Sequence, residues 1–188
     1  MKEIETKGAA IRSLMAAIEA LWGADVLART IAACPADVRT GLTDGRLVSG
    51  GWYPIAWYRE LHAGLRVALP NDATLSAKLG RQTTVQDLQG PMRWILSLAG
   101  PDVMARFADR MHSAYFRGGK GEATRRPGQL VLRLSEMHGM NKSMWDDLVA
   151  GSVVLFETAA GHSVDVRVVG GIGSMIEITL SWDQSKSA

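Results

Sequence analysis

Residues 166–182 read VRVVGGIGSMIEITLSW. Two apolar runs flank a glycine-rich centre, and the reading of that centre decides the fold. Gly171-Ile-Gly173 after an apolar run is one way to begin a dinucleotide-binding turn. Such a turn must be followed by a helix whose N-terminus faces the pyrophosphate. Here Ile176, Ile178, Leu180 and Trp182 alternate with Glu177, Thr179 and Ser181, a period of two that belongs to a strand. The third glycine of the pattern is also missing, Met175 or Ile176 standing near its place. GGIGS is therefore read as a hairpin loop whose glycines supply positive φ. One apolar and one polar face per strand marks an antiparallel sheet that is wet on one side.

The same period extends outward. Val164, Val166 and Val168 alternate with Ser163, Asp165 and Arg167, which predicts a strand with its valines inward. Leu130, Leu132 and Leu134 predict another, and GEATRR (121–126) a weaker edge strand. Between them NKSMWDDLVAGSVVLFETA (141–159) has helical spacing, with Asn141 as cap and Trp145, Leu148, Val149 and Phe156 inward.

Towards the N-terminus every stripe is helical. Ile11, Leu14, Met15, Ile18, Leu21 and Trp22 form the first, stopped by Gly23. Asp25 can cap a second carrying Val26, Leu27 and Ile31, and Pro35 precedes a short third. Pro54 suits the first position of a helix with Ile55, Tyr58, Leu61, His62, Leu65 and Leu69 on one face. Asn71 or Asp72 can cap the next, which carries Leu75 and Leu79. Helix resumes around Trp94 after Gly90-Pro91, and again after Gly100-Pro101 with Val103, Phe107, Met111 and Tyr115 buried. The expectation is an α+β fold: several helices packed against a small antiparallel β-sheet, with a helix inserted between strands. It occupies residues 1–188 as a single domain with a core at 8–183, and helices 8–45 are either its first layer or an extension.

The bulk numbers narrow the function. A net charge of +2 gives no field that recruits nucleic acid or an anionic membrane. Cys34 is the only cysteine, so an internal disulfide is excluded, which fits a reducing compartment. No apolar run approaches the roughly 18 residues of a membrane span, and the start MKEIETKGAA lacks the pattern of a secretory signal. A cytoplasmic protein is expected. Catalytic machinery is not visible: there is no Gly-x-Ser-x-Gly elbow, no His-Glu-x-x-His and no paired-cysteine zinc site. Asp146 and Asp147 are adjacent, so on a helix they diverge rather than share a proton or a metal.

GGWYPIAWYRELH (50–62) is the densest aromatic stretch. Tyr58 and His62 are four apart and share a helix face. A pocket for a flat apolar ligand would draw on Trp57, Tyr58, His62 and Trp94, and His62 has the chemistry of a haem axial ligand. Core packing with a hydrogen-bonded His62 is the competing explanation and the favoured one. Met137, His138, Met140 and Met144 could hold Cu(I), but methionines also fill irregular core gaps. No metal and no cofactor is assigned. RGGKGEATRR (117–126) has no aromatics to stack on bases and reads as a charged edge that discourages strand pairing.

The order of these elements, with WYPIAWYRELHAGL (52–65), LSAKLGR (75–81) and the terminal IEITLSW (176–182), resembles the ligand-binding fold shared by 4-vinyl reductase domains, haem nitric-oxide-binding domains and TRAPP-type trafficking subunits. Within it the chain is most similar to a myxobacterial paralogous family of unknown function. The resemblance implies helices against an antiparallel sheet, and either an apolar small-molecule ligand or a dimerising interaction module. Haem nitric-oxide sensors carry a Tyr-x-Ser-x-Arg string that grips the propionates, and that string does not occur here. The reading is a non-enzymatic sensory or adaptor domain for a small hydrophobic ligand or a protein partner. Its alternatives are a homodimeric scaffold, supported by the stripe from Ile11 to Trp22, and a tetrapyrrole binder.

Overall fold

The computed structural model describes residues 3–88 and 91–183, and within that span the side chains of 91–99, 107 and 109 fall outside the description. Strand β1 (Glu5–Lys7) runs straight into α1 (Gly8–Trp22), followed by α2 (Ala24–Ala33) and α3 (Ala36–Thr43). Strand β2 (Trp52–Pro54) leads into α4 (Ile55–Ala68), then come α5 (Leu75–Asp87) and α6 (Pro91–Tyr115). The C-terminal part holds β3 (Phe116–Arg117), β4 (Lys120–Arg126), β5 (Gln129–Ser135), α7 (Lys142–Ala160), β6 (Asp165–Ile172) and β7 (Met175–Ser181). The fold is α+β, with antiparallel sheets in the orders β2-β1-β3 and β4-β5-β7-β6.

The hairpin of residues 166–182 forms as expected, β6 pairing antiparallel with β7. Gly170, Gly171 and Gly173 have φ of 86°, 80° and 75°, values that only glycine adopts freely. A bulge lies between Gly170 and Ile172. The loop is tied to the body where Trp145 donates its indole N–H to the Gly173 carbonyl at 3.1 Å. Asn141 caps α7 by accepting from the Met144 amide. Gly100, with φ of 72°, breaks α6 just before Pro101, where the sequence places a helix start.

Two apolar clusters form. The first joins α1–α5 through Ile11, Leu14, Ile18, Val38, Leu61, Leu65 and Leu79. Ile11, Leu14 and Ile18 of the α1 stripe are covered within the chain itself, whereas Leu21 is 37% exposed and Met15 and Trp22 are only partly buried. The second cluster joins the four-stranded sheet to α6 and α7 through Leu130, Met137, Trp145, Phe156, Ile178, Leu180 and Trp182. The tightest seam lies between α5 and α7: a Cβ on Gly80 would sit 1.9 Å from the Asp147 carbonyl oxygen, so the two backbones touch.

Several expectations are corrected. The three-stranded sheet β2-β1-β3 was not anticipated, because strands of two or three residues show no period. Pro54 ends β2 in extended conformation (ψ 135°) instead of opening α4. Gly23 takes the cap position of α2 with φ of 88°, and Asp25 lies in the first turn. Asp72 does not cap α5; it accepts from the Thr74 amide just ahead of it. Val166 and Val168 are 43% and 42% exposed, not inward. β6 is an edge strand of its sheet and is exposed along its length except at Gly171. GEATRR does form an edge strand, β4, beside β5.

Candidate functional site

A cavity of about 440 Å³ opens between the helical layer and the four-stranded sheet. Its apolar walls come from Ile55 on α4, Leu88 after α5, Met104 and Met111 on α6, Leu132 and Leu134 on β5, and Met144, Leu148 and Leu155 on α7. The volume lies within the usual range of small-molecule pockets, and so does the mostly apolar lining with a few polar groups.

The polar end is built from i, i+3 and i, i+4 spacing. On α7, Met144, Asp147, Leu148 and Gly151 share the inward face, and all four line the cavity. On α4, Tyr58 and His62 share a face, their rings 5.3 Å apart. These two faces meet. Tyr58 Oη donates to Asp147 Oδ2 at 2.6 Å, and His62 Nε2 lies 3.0 Å from the same oxygen. His62 and Asp147 are each only 4% exposed, so the carboxylate depends on these two donors in place of water. Burial first, then the adjacent Asp147 carboxylate, holds the Tyr58 phenol well above its usual range, and Tyr58 stays a donor.

Of the residues expected from sequence, Tyr58 lines the cavity. His62 sits behind it, buried and bound to Asp147. Trp57 points the other way: it packs in the α1–α5 cluster with Tyr53 at 5.0 Å, its ring filling the space where Gly41 lacks a side chain. The Trp94 side chain lies outside the described residues. Sequence reading missed Asp147, which it set aside as one of an adjacent pair. Asp146 indeed faces out, bound to Lys142, and Asp147 faces in. The signal was Asp147's place in the stripe Met144–Asp147–Leu148–Gly151.

Met140 and Met144 line the cavity and Met137 is fully buried, so the methionine group is core, and among the described residues no cluster of three or more His, Cys, Asp or Glu could hold a metal. Cys34 is buried with its thiol pushed up to about 11, by burial first and then by Glu60, which leaves it a poor nucleophile. In the basic stretch, Arg117 pairs with Glu5, Lys120 with Glu136, and Arg125 binds the Ala105 and Arg106 carbonyls. His112, on another wall, has its Nε2 buried without a hydrogen-bond partner. Burial lowers its pKa, against the hydrogen bond to the Gly118 backbone, so the ring is held towards the neutral form.

No family model matches the sequence, and no curated protein matches it. Solved structures do. An Fe(II) unliganded H-NOX protein from K. algicida superposes with a TM-score of 0.68 at 12% identity, over 95% of this chain and 97% of that one. An oxygen-binding H-NOX domain related to soluble guanylate cyclases, in its oxygen complex, gives 0.60 at 13%, over 95% of each chain. The IWP-051-bound H-NOX from Shewanella woodyi gives 0.61 at 14%, over 94% of each. At these identities the likeness is one of fold. It falls on the haem nitric-oxide-binding members of the group that the sequence resembles.

The fold therefore raises haem, and the lining can be tested against it. Haem needs an axial donor and cations for two propionates. His112 is the lining imidazole, but its Nε2 is buried beside Gly119 and would have to turn to meet the first need. The second is not met: among the described lining residues the charged ones are Asp87, Glu122 and Asp147, all acidic. Glu122 stands opposite Arg133 in the β4–β5 register, on the face away from Leu132 and Leu134, so it reaches only the rim. The described lining does not fit haem as a dianion.

Proposed function

We propose that this chain is a sensory domain that takes a small, largely apolar ligand into the cavity between its helices and its four-stranded sheet. The observation that carries this reading is the cavity itself: about 440 Å³ of mostly apolar space, ended by a hydrogen-bonded Tyr58–Asp147–His62 group that joins α4 to α7. A ligand pressing on Met144 or Leu148 acts on the helix that carries Asp147, and Asp147 is held by the helix of the other cluster. Among the described residues no helix is long and apolar enough to cross a membrane. The finer resemblance, to the myxobacterial paralogous family, adds no chemistry to this. Native mass spectrometry of the purified protein, beside the denatured mass, is the test. Extra mass lost on denaturation supports the reading; the bare chain mass in every preparation counts against a resident ligand.

A second reading, tetrapyrrole binding, is supported more directly by the H-NOX likeness and by His112, and it is opposed by the acidic lining. Soret absorbance after haem reconstitution, lost in His112→Ala, would favour it. No Soret band would leave the metal-free ligand.

A further inference from the structure

The direction of the cavity's hydrogen bonds sets the chemistry of what it takes, and this inference rests on the ligand-binding reading above. The hydroxyl protons around the cavity are largely committed to the protein. Ser13 donates to Asp87 Oδ1 at 2.7 Å, Thr83 to the Leu79 carbonyl at 3.1 Å, Ser152 to the Leu148 carbonyl at 2.9 Å, and Tyr58 to Asp147 at 2.6 Å. Acceptors remain: the second oxygen of Asp87 and hydroxyl lone pairs. The Thr84 and Tyr115 hydroxyls can turn either way. Among the described residues no lysine or arginine lines the cavity.

Asp87 is the carboxylate in position to meet a guest. Asp147 Oδ2 is already shared by two donors, and Glu122 reaches only the rim. Asp87 ends α5 at the cavity wall with one oxygen open, and its charge raises the pKa of both Tyr58 and Tyr115, which stand on different walls. Asp87 is exposed at the mouth of the cavity, so an ammonium there can make a charge-assisted hydrogen bond to its open oxygen while the apolar body enters.

We infer that the cavity selects a protonated amine on an apolar body, with the ammonium on Asp87 and the body against Met104, Leu132, Met144 and Leu148. An anionic ligand of the same shape would place its charge among carboxylates, with only the Thr84 and Tyr115 hydroxyls and, among the described residues, no lysine or arginine to receive it.

The test uses three probes of one shape: 9-anthracenylmethylammonium, the matching alcohol, and 9-anthroate. Each is titrated by calorimetry into the full chain and into Asp87→Asn. Asp87 is exposed and outside both apolar clusters, so the variant should fold, and an unchanged thermal melt would establish that. The expected order is ammonium, then alcohol, then carboxylate, with the first at least about ten-fold tighter than the last, as a charge-assisted hydrogen bond allows. In Asp87→Asn the ammonium's advantage over the alcohol should shrink to within about two-fold while the alcohol is unaffected. Carboxylate binding as tight as ammonium, or an advantage that survives Asp87→Asn, would overturn the amine assignment and leave the cavity reading standing. Failure of all three probes to bind would overturn both.

Discussion

The two apolar clusters of this chain are built from similar residues and do different things. The α1–α5 cluster is filled: Ile11, Leu14, Ile18, Leu61 and Leu79 have no exposed surface at all, and Trp57 occupies the gap left by Gly41. The cluster under the sheet holds equally buried residues at its far side, Phe156, Ile178 and Leu180 among them, yet its near side surrounds a cavity of about 440 Å³. The cavity opens to solvent, and an apolar cleft of this size with a few polar groups is the usual form of a small-molecule site. The filled cluster serves as scaffold, and the hollow one has room to respond. Tyr58 belongs to both, packing against each, and its hydroxyl makes the bond to Asp147 that crosses between them.

The strongest way to break this arrangement is at the seam between α5 and α7. In Gly80→Ala the new methyl would lie 1.9 Å from the Asp147 carbonyl oxygen, and backbone cannot swing aside as a flexible side chain does. The helices must separate, which disturbs the cavity wall and the Asp147 side chain together. A loss of more than about 3 kcal/mol is expected, at the upper end of overpacking effects, measured by urea unfolding. A loss under about 1 kcal/mol would mean that the seam is looser than described and that the two clusters are not rigidly joined.

The junction itself comes next. Asp147→Ala leaves the Tyr58 hydroxyl and His62 Nε2 buried without their shared acceptor, and a cost of about 2 kcal/mol is expected from the orphaned donors. Asp147→Asn keeps one acceptor oxygen and should recover most of that. If the alanine variant is as stable as the parent, water replaces the carboxylate and the junction holds nothing together.

How much of this the sequence disclosed depends on the scale of the feature. The hairpin, the capped α7 and the helical stripes were legible because each repeats a period over seven residues or more. The β2-β1-β3 sheet was not, since three residues carry no period and its pairing joins segments far apart in sequence. The exposed face of β6 was also hidden: alternation shows which valines share a face, not whether a helix lies over it. The cavity was hidden for a similar reason. Its described lining is spread over nine helices and strands, and much of it is residues such as Met104, Leu132 and Leu155 that any core would use. Trp57 drew attention by its size and proved to be scaffold. Asp147 was the more telling residue, a lone charge in an apolar stripe.

The smallest effect tests the hollow cluster most directly. In a filled core, truncating leucine to alanine removes contacts and opens a new void, at about 2–5 kcal/mol. Leu148 is only partly buried and already borders open space, so the cavity term is largely absent and only the transfer term remains. Leu148→Ala should therefore cost no more than about 1.5 kcal/mol, while the enlarged cavity weakens its hold on an anthracene-sized probe. Stability and binding would then respond in opposite proportion to a leucine of the α1–α5 cluster, where truncation costs stability and leaves the probe untouched. A large destabilisation at Leu148 with unchanged probe affinity would reverse that contrast. It would show that this side chain is structural and that the guest is held elsewhere along the wall.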